Sequence, residues 1–190
     1  MRPKSISVSV DPAFYILLAA FLLVLPLQWV LAVLMAAAFH EFCHLLAMRC
    51  FGVRVSALRL GLRGACIRSE PMEPVQELIC AAAGPAGGVL LLLLAKWMPM
   101  VAVCGAFQTL FNLLPIFPLD GGRVLRGFLR AVAPMDYARR AERVVTIAVI
   151  AGAFVLAVYA TFFVKLGIVP LGIAWILLLQ AKKNKNTLQS

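Results

Sequence analysis

Six apolar stretches, separated by connections of very unequal charge, constrain this chain more than any other feature. The stretches cover residues 13–25, 27–50, 75–95, 100–119, 144–164 and 166–180. Of the 18 Lys and Arg residues, 16 fall in alternate connections: the N-terminus, the second connection (Arg49 to Arg68), the fourth (Arg123 to Arg143) and the tail. The other two, Lys96 and Lys165, stand alone in theirs. Basic residues next to apolar helices are retained on the cytoplasmic side of a membrane. The pattern predicts an all-α polytopic membrane protein with six transmembrane helices and both termini in the cytoplasm. An apolar share of 63% agrees, since a soluble domain has about 45–50%. The net charge of +10 then reflects topology and contact with anionic lipid. A nucleic-acid partner is not expected, because no folded basic module is left to bind one.

The chain reads as one membrane domain over residues 1–190. Residues 13–25 follow Arg2 and Lys4 but lack a small-residue cleavage site, so they read as a retained helix. Pro26 marks a tight turn after them. The five cysteines have no paired spacing and read as free thiols. Val53–Leu60 has partial period-two character, Gly61–Gly64 supplies a turn, and Ala65–Arg68 can return as a strand. A short β-hairpin at the membrane surface between the second and third helices is expected. Gly122–Val132 reads as an amphipathic helix with Arg123, Arg126 and Arg130 lying on headgroups.

The chemistry concentrates in few residues. The chain has two histidines, His40 and His44, four residues apart on an apolar helix with Glu41 between them. Positions i and i+4 share a helix face, so both imidazoles can reach one metal ion. Of eight acidic residues, Asp11, Glu70, Glu73, Glu77, Asp136 and Glu142 read as lying near membrane surfaces or in connections, which leaves Glu41 inside an apolar stretch and Asp120 at the mouth of another. His44 precedes Cys50 by six residues, about 9 Å from the cytoplasmic end at ~1.5 Å per residue. Asp120 ends the fourth stretch on the same side. Two imidazoles and one carboxylate, with one position left for water, make a hydrolytic zinc site. Glu41 is then the general base. Cys43 points about 100° away from His44 and reads as a packed residue.

These residues resemble the site-2 protease (M50) family of intramembrane zinc metalloproteases. That family carries HExxH in one core helix, an Ala-Gly-Pro motif matched by Ala83-Gly84-Pro85, and an Asn-…-Pro-…-Asp-Gly motif matched by Asn112 to Gly121. The run from Asn112 to Gly122 is most similar to the stage IV sporulation FB-type proteases. The resemblance implies one zinc ion held by His40, His44 and Asp120, with Glu41 catalytic and Asn112 binding the substrate backbone. It implies that Pro115 and Pro118 break the helix before Asp120, and that Gly84, Gly87 and Gly88 permit close helix packing. Cys43 stands where the family often has Gly, and neither a CBS nor a PDZ domain is expected within the 190 residues.

The implied activity is hydrolysis of a peptide bond in or near the transmembrane segment of a membrane-associated protein, such as a pro-sigma or anti-sigma factor. The lipid bilayer is the second partner. Inhibitory or adaptor membrane proteins are not readable from the sequence. The rival classes are a metal-ion transporter, which needs polar residues along several helices, and a silent membrane scaffold, which has no use for the four metal-site residues. A substrate strand is expected to add to the hairpin, either at Val53–Leu60 or at its return strand.

Overall fold

The structure, a computed structural model, describes residues 7–61 and 64–162, and beyond them Lys165, Leu171, Gly172, Trp175 and Leu178. The element order is β1 (Ser7–Val10), α1 (Pro12–Val24), α2 (Leu27–Cys50), β2 (Val55–Gly61), β3 (Gly64–Ser69), α3 (Pro74–Leu92), α4 (Pro99–Asn112), α5 (Asp120–Val132) and α6 (Met135–Phe162). It divides into two compact units, Met1–Phe111 and Asn112–Ser190.

In the first unit the expected hairpin is present as β2 and β3, antiparallel from Val55↔Ser69 to Gly61↔Gly64. A third strand, β1, was not expected. It pairs in parallel with β2, from Ser7↔Ala57 to Val10↔Leu60. The order β1-β2-β3 makes β2 the central strand. Val53–Leu60 therefore offers no free edge to a substrate strand, which corrects that half of the expectation. Asp11 joins this sheet to α1. One carboxylate oxygen accepts from the Ala13 N–H at 3.1 Å and the other pairs with Arg59 Nη2 at 3.0 Å. Pro12 occupies the first turn, where a missing N–H costs nothing.

Helices α2, α3 and α4 build the core of this unit. The buried residues of α2 include Ala32, Ala36, His40, His44 and Met48, a strict i+4 stripe down one face. Leu31, Met35, Phe42 and Leu46 are exposed on the same helix, as suits a helix with lipid around it. The face of α3 that packs inward is made of small residues, among them Ala81, Gly84, Gly87 and Gly88. A Cβ on Gly87 would collide with Cys43 Sγ, and one on Gly88 with Thr109 Oγ1 of α4. Cys43 thus occupies space that Gly87 leaves on the facing helix. Ala32, Ala36, Leu91 and Val101 form the apolar centre, with Phe39, Met100 and Cys104 packed against it.

Among the described residues, three helices are long and apolar enough to cross a membrane: α2, α3 and α6. This corrects the expectation of six. The first stretch folds as 13 residues, about 20 Å at ~1.5 Å per residue, against a ~30 Å hydrocarbon core. The fourth stretch, expected over 100–119, is helical only to Asn112. Pro115 and Pro118 have no N–H for the next turn, and each disfavours helical backbone in the residue before it. The expected sixth span lies outside the described residues, apart from four isolated positions.

In the second unit, α5 and α6 pack on each other. Helix α5 begins at Asp120 rather than Gly122. Helix α6 has 28 residues, begins nine residues earlier than expected, and buries only Ala138 and Ala157. Its first turns carry Asp136, Arg139, Arg140, Glu142 and Arg143, and the apolar, largely exposed part from Val144 onward suits a bilayer.

Candidate metal centre

Each site residue owes its position to the element that carries it. His40 and His44 lie one turn apart in the middle of α2, and both are buried. Their Nε2 atoms face each other at 3.2 Å. His44 Nδ1 donates to the Cys80 carbonyl at 2.7 Å. A carbonyl only accepts, so the Nδ1 proton lies in this bond and Nε2 is the nitrogen able to accept a hydrogen bond or ligate a metal. A partner on the far nitrogen is the usual way a protein orients a metal-binding imidazole.

Gly84 shapes the other side of the pair. A Cβ built on it would fall 2.6 Å from His40 Nε2 and would overlap His44 Nε2. The glycine of Ala83-Gly84-Pro85 therefore clears the space into which both nitrogens point. Pro85, inside α3, removes the N–H that would bond the Ala81 carbonyl. Thr109 of α4 donates its hydroxyl to the Pro85 carbonyl at 3.4 Å. Glu41 is half-buried, one residue beyond His40 and so about 100° around the helix.

Asp120 and Asn112 belong to the second unit. Asn112 is half-buried and ends α4; Asp120 is buried and opens α5. Residues 113–119 fold back over the first turn of α5, with Ile116 completely buried. A Cβ on Gly121 would collide with the Leu113 carbonyl oxygen, and one on Gly122 with the Phe117 amide nitrogen. The Asp120-Gly121-Gly122 run thus has two glycines because backbone lies against both. Arg123, one turn on, sits 3.8 Å from Asp120 Oδ1.

Sequence reasoning missed several supporting residues. The Cys80 contact uses a backbone carbonyl, which side-chain patterns do not report. Arg126 was expected on headgroups. Its guanidinium instead bonds both Glu142 carboxylate oxygens, by Nη2 at 2.6 Å and by Nε at 3.2 Å to each. It also lies 3.8 Å from the centre of the Phe117 ring.

The family model described as Peptidase family M50 matches residues 92–158. Rip3 of Mycobacterium tuberculosis, assigned by name to the zinc metalloproteases, is 32% identical over 136 residues, 59% of this chain and 35% of its own length. Zinc metalloprotease MJ0392 of Methanocaldococcus jannaschii is 28% identical over 104 residues, 47% of this chain and 31% of its own. The chain spans about a third of the length of these two relatives. Among solved structures, the site-2 protease from Methanocaldococcus jannaschii superposes with a TM-score of 0.63 at 18% identity, over 95% of this chain and 92% of that one. At that identity the likeness speaks for the fold. Residues 92–158, which include Asn112 and Asp120, thus match the Peptidase family M50 model, and the chain is similar in sequence to proteins named zinc metalloproteases and in fold to a site-2 protease.

Proposed function

We propose that this protein is an intramembrane zinc metalloprotease that cleaves a membrane-associated protein substrate. The observation that carries the reading is the buried His40–His44 pair, with Nε2 atoms 3.2 Å apart and the second ring oriented by the Cys80 carbonyl. Two nitrogens bound to one tetrahedral zinc at ~2.0–2.1 Å lie roughly 3.3 Å apart, so the pair fits that ion. Asp120 is the third ligand in this reading, supported by its burial and by the two glycines that hold the start of α5 against the 113–119 backbone.

Zinc, when bound, supplies a Lewis acid and lowers the pKa of a coordinated water towards 7. The protein's own residues do the rest. His40 and His44 present neutral nitrogens. The Glu41 carboxylate takes up the proton of the attacking water and returns it to the departing amine. Asn112 holds the substrate backbone with its carboxamide. The bilayer excludes bulk water, and the basic connections keep their side of the protein, and the opening of the site, on the cytoplasmic face. Both termini lie on that face in this reading.

A helical substrate must unwind before its peptide bonds can be reached. β3 supports a role in this. Among the described residues it is the return strand of the hairpin and an outer strand of the sheet, placed to accept an extended segment by strand addition. Proline substitutions along β3 that leave cleavage unchanged would remove this part of the reading.

The main test compares purified wild type with Glu41→Gln. Zinc content is expected to persist and cleavage of a membrane-tethered substrate to disappear. Equal cleavage by both proteins rejects Glu41 as the base, and absence of zinc from both rejects the metal site.

A further inference from the structure

We propose that Glu142, Arg126 and Phe117 are positioning residues through which α6 holds the 113–119 segment, and with it the Asp120 carboxylate, in the orientation a metal ligand needs. The inference rests on reading Asp120 as a ligand. It starts from an ion pair that is unusually well built for its place. The Arg126 and Glu142 side chains are only 11% and 14% exposed, and three hydrogen bonds join them. Burying two charges is costly unless the geometry is good, and removing one partner strands the other. Surface decoration does not need this arrangement.

The pair acts on a specific target. A guanidinium can fork onto a carboxylate with its edge while its face covers an aromatic ring. Here the face covers Phe117. The Phe117 amide is in turn the backbone against which Gly122 packs. Thr146, one turn after Glu142 on α6, donates its hydroxyl to the Pro115 carbonyl at 3.5 Å. Two side chains of α6 therefore restrain the segment, one through Arg126 and one directly. Asp120 follows the segment immediately, so the segment places the backbone that carries its carboxylate. Lysine in place of Arg126 keeps the charge but loses both the fork and the flat stacking face.

The test uses the full chain in detergent or nanodiscs and compares wild type with Glu142→Gln, Arg126→Lys, Arg126→Ala and Asp120→Ala. The first measurement is amide hydrogen exchange over residues 113–123 of the zinc-stripped proteins, with α2 and α3 as internal controls for folding. The second is zinc affinity by chelator competition. We expect faster exchange confined to 113–123 and about tenfold weaker zinc binding in Glu142→Gln and Arg126→Ala. Arg126→Lys, the conservative variant, falls between them and wild type. Unchanged exchange over 113–123 in both Glu142→Gln and Arg126→Ala overturns the relay. So does zinc affinity within twofold of wild type in these variants while Asp120→Ala binds weakly. If Asp120→Ala itself binds zinc like wild type, the ligand reading is what fails, and the relay falls with it as a ligand-positioning device.

Discussion

Gly84 lies so close to His44 that any side chain at position 84 would enter the space in front of the imidazole Nε2. The ring cannot easily give way, because its Nδ1 is held by the Cys80 carbonyl at 2.7 Å on the same helix, α3, that carries Gly84. One turn of α3 thus both orients the ring and clears the space before it.

Gly84→Ala should therefore abolish metal binding more than it destabilises the fold. A small-to-large change in a packed interior costs roughly 1–3 kcal/mol. The displaced atoms here are the two Nε2 nitrogens, so zinc stoichiometry should fall towards zero in a protein that still folds. Zinc analysis alongside thermal unfolding checks this. Full zinc occupancy in Gly84→Ala would show that the nitrogens do not face a metal.

Much of this centre was legible in the sequence, for a physical reason. His40, Glu41 and His44 are close in the chain, and helical periodicity alone puts the imidazoles on one face. The β2–β3 hairpin was legible in the same way, from alternation and a glycine turn. β1 was missed although Ser7-Val8-Ser9-Val10 alternates plainly, because its partner lies some 50 residues away across two helices. The fourth helix is shorter than its apolar stretch because an apolar run does not record where Pro115 and Pro118 end the hydrogen-bond ladder. Arg126 was misplaced because its partner, Glu142, belongs to another helix. A helical wheel shows a basic face; only packing shows that one arginine on it is largely covered and paired.

Thr109→Val tests whether α4 is tied to α3 at Pro85 by its hydroxyl. The substitution keeps the shape and removes the donor to the Pro85 carbonyl. A typical net hydrogen bond contributes about 1 kcal/mol, and the carbonyl left behind sits in a helix that already lacks the Pro85 N–H. Stability should fall by about that amount, with zinc content unchanged. A larger loss, together with zinc depletion, would mean that α4 also sets the position of the histidines.

Asp11 predicts a pH dependence on the acid side. The Ala13 N–H and then the Arg59 guanidinium favour its charged form and lower its pKa below the ordinary carboxylate value. A carboxyl whose folded pKa is depressed contributes its stabilisation above the unfolded pKa and loses it as pH falls through the folded one. The tie between the sheet and α1 should therefore be intact at neutral pH and give way only at strongly acid pH. Titration of the Asp11 carboxyl by NMR should show the low value. In Arg59→Gln it should rise towards, without reaching, the ordinary one, because the Ala13 bond remains.

Three glycines separate close packing from mere helix composition. In Gly122→Ala the new methyl meets backbone, the Phe117 amide and the Ile116 carbonyl carbon, neither of which can rotate away. Relief requires moving the 113–119 segment, so this substitution should cost more than Gly84→Ala, which meets imidazole side chains. Gly152, in the middle of α6, has nothing within 4 Å of its built Cβ. Alanine there adds no clash and removes backbone freedom that glycine loses on folding, worth up to about 1 kcal/mol in a helix interior. Gly152→Ala should be neutral or slightly stabilising and keep full zinc content. Thermal unfolding of the three variants under one condition should rank them Gly152→Ala, Gly84→Ala, Gly122→Ala from most to least stable. A Gly122→Ala protein as stable as wild type would mean that the 113–119 backbone does not rest on the first turn of α5, and the support for Asp120 as a fixed ligand would go with it.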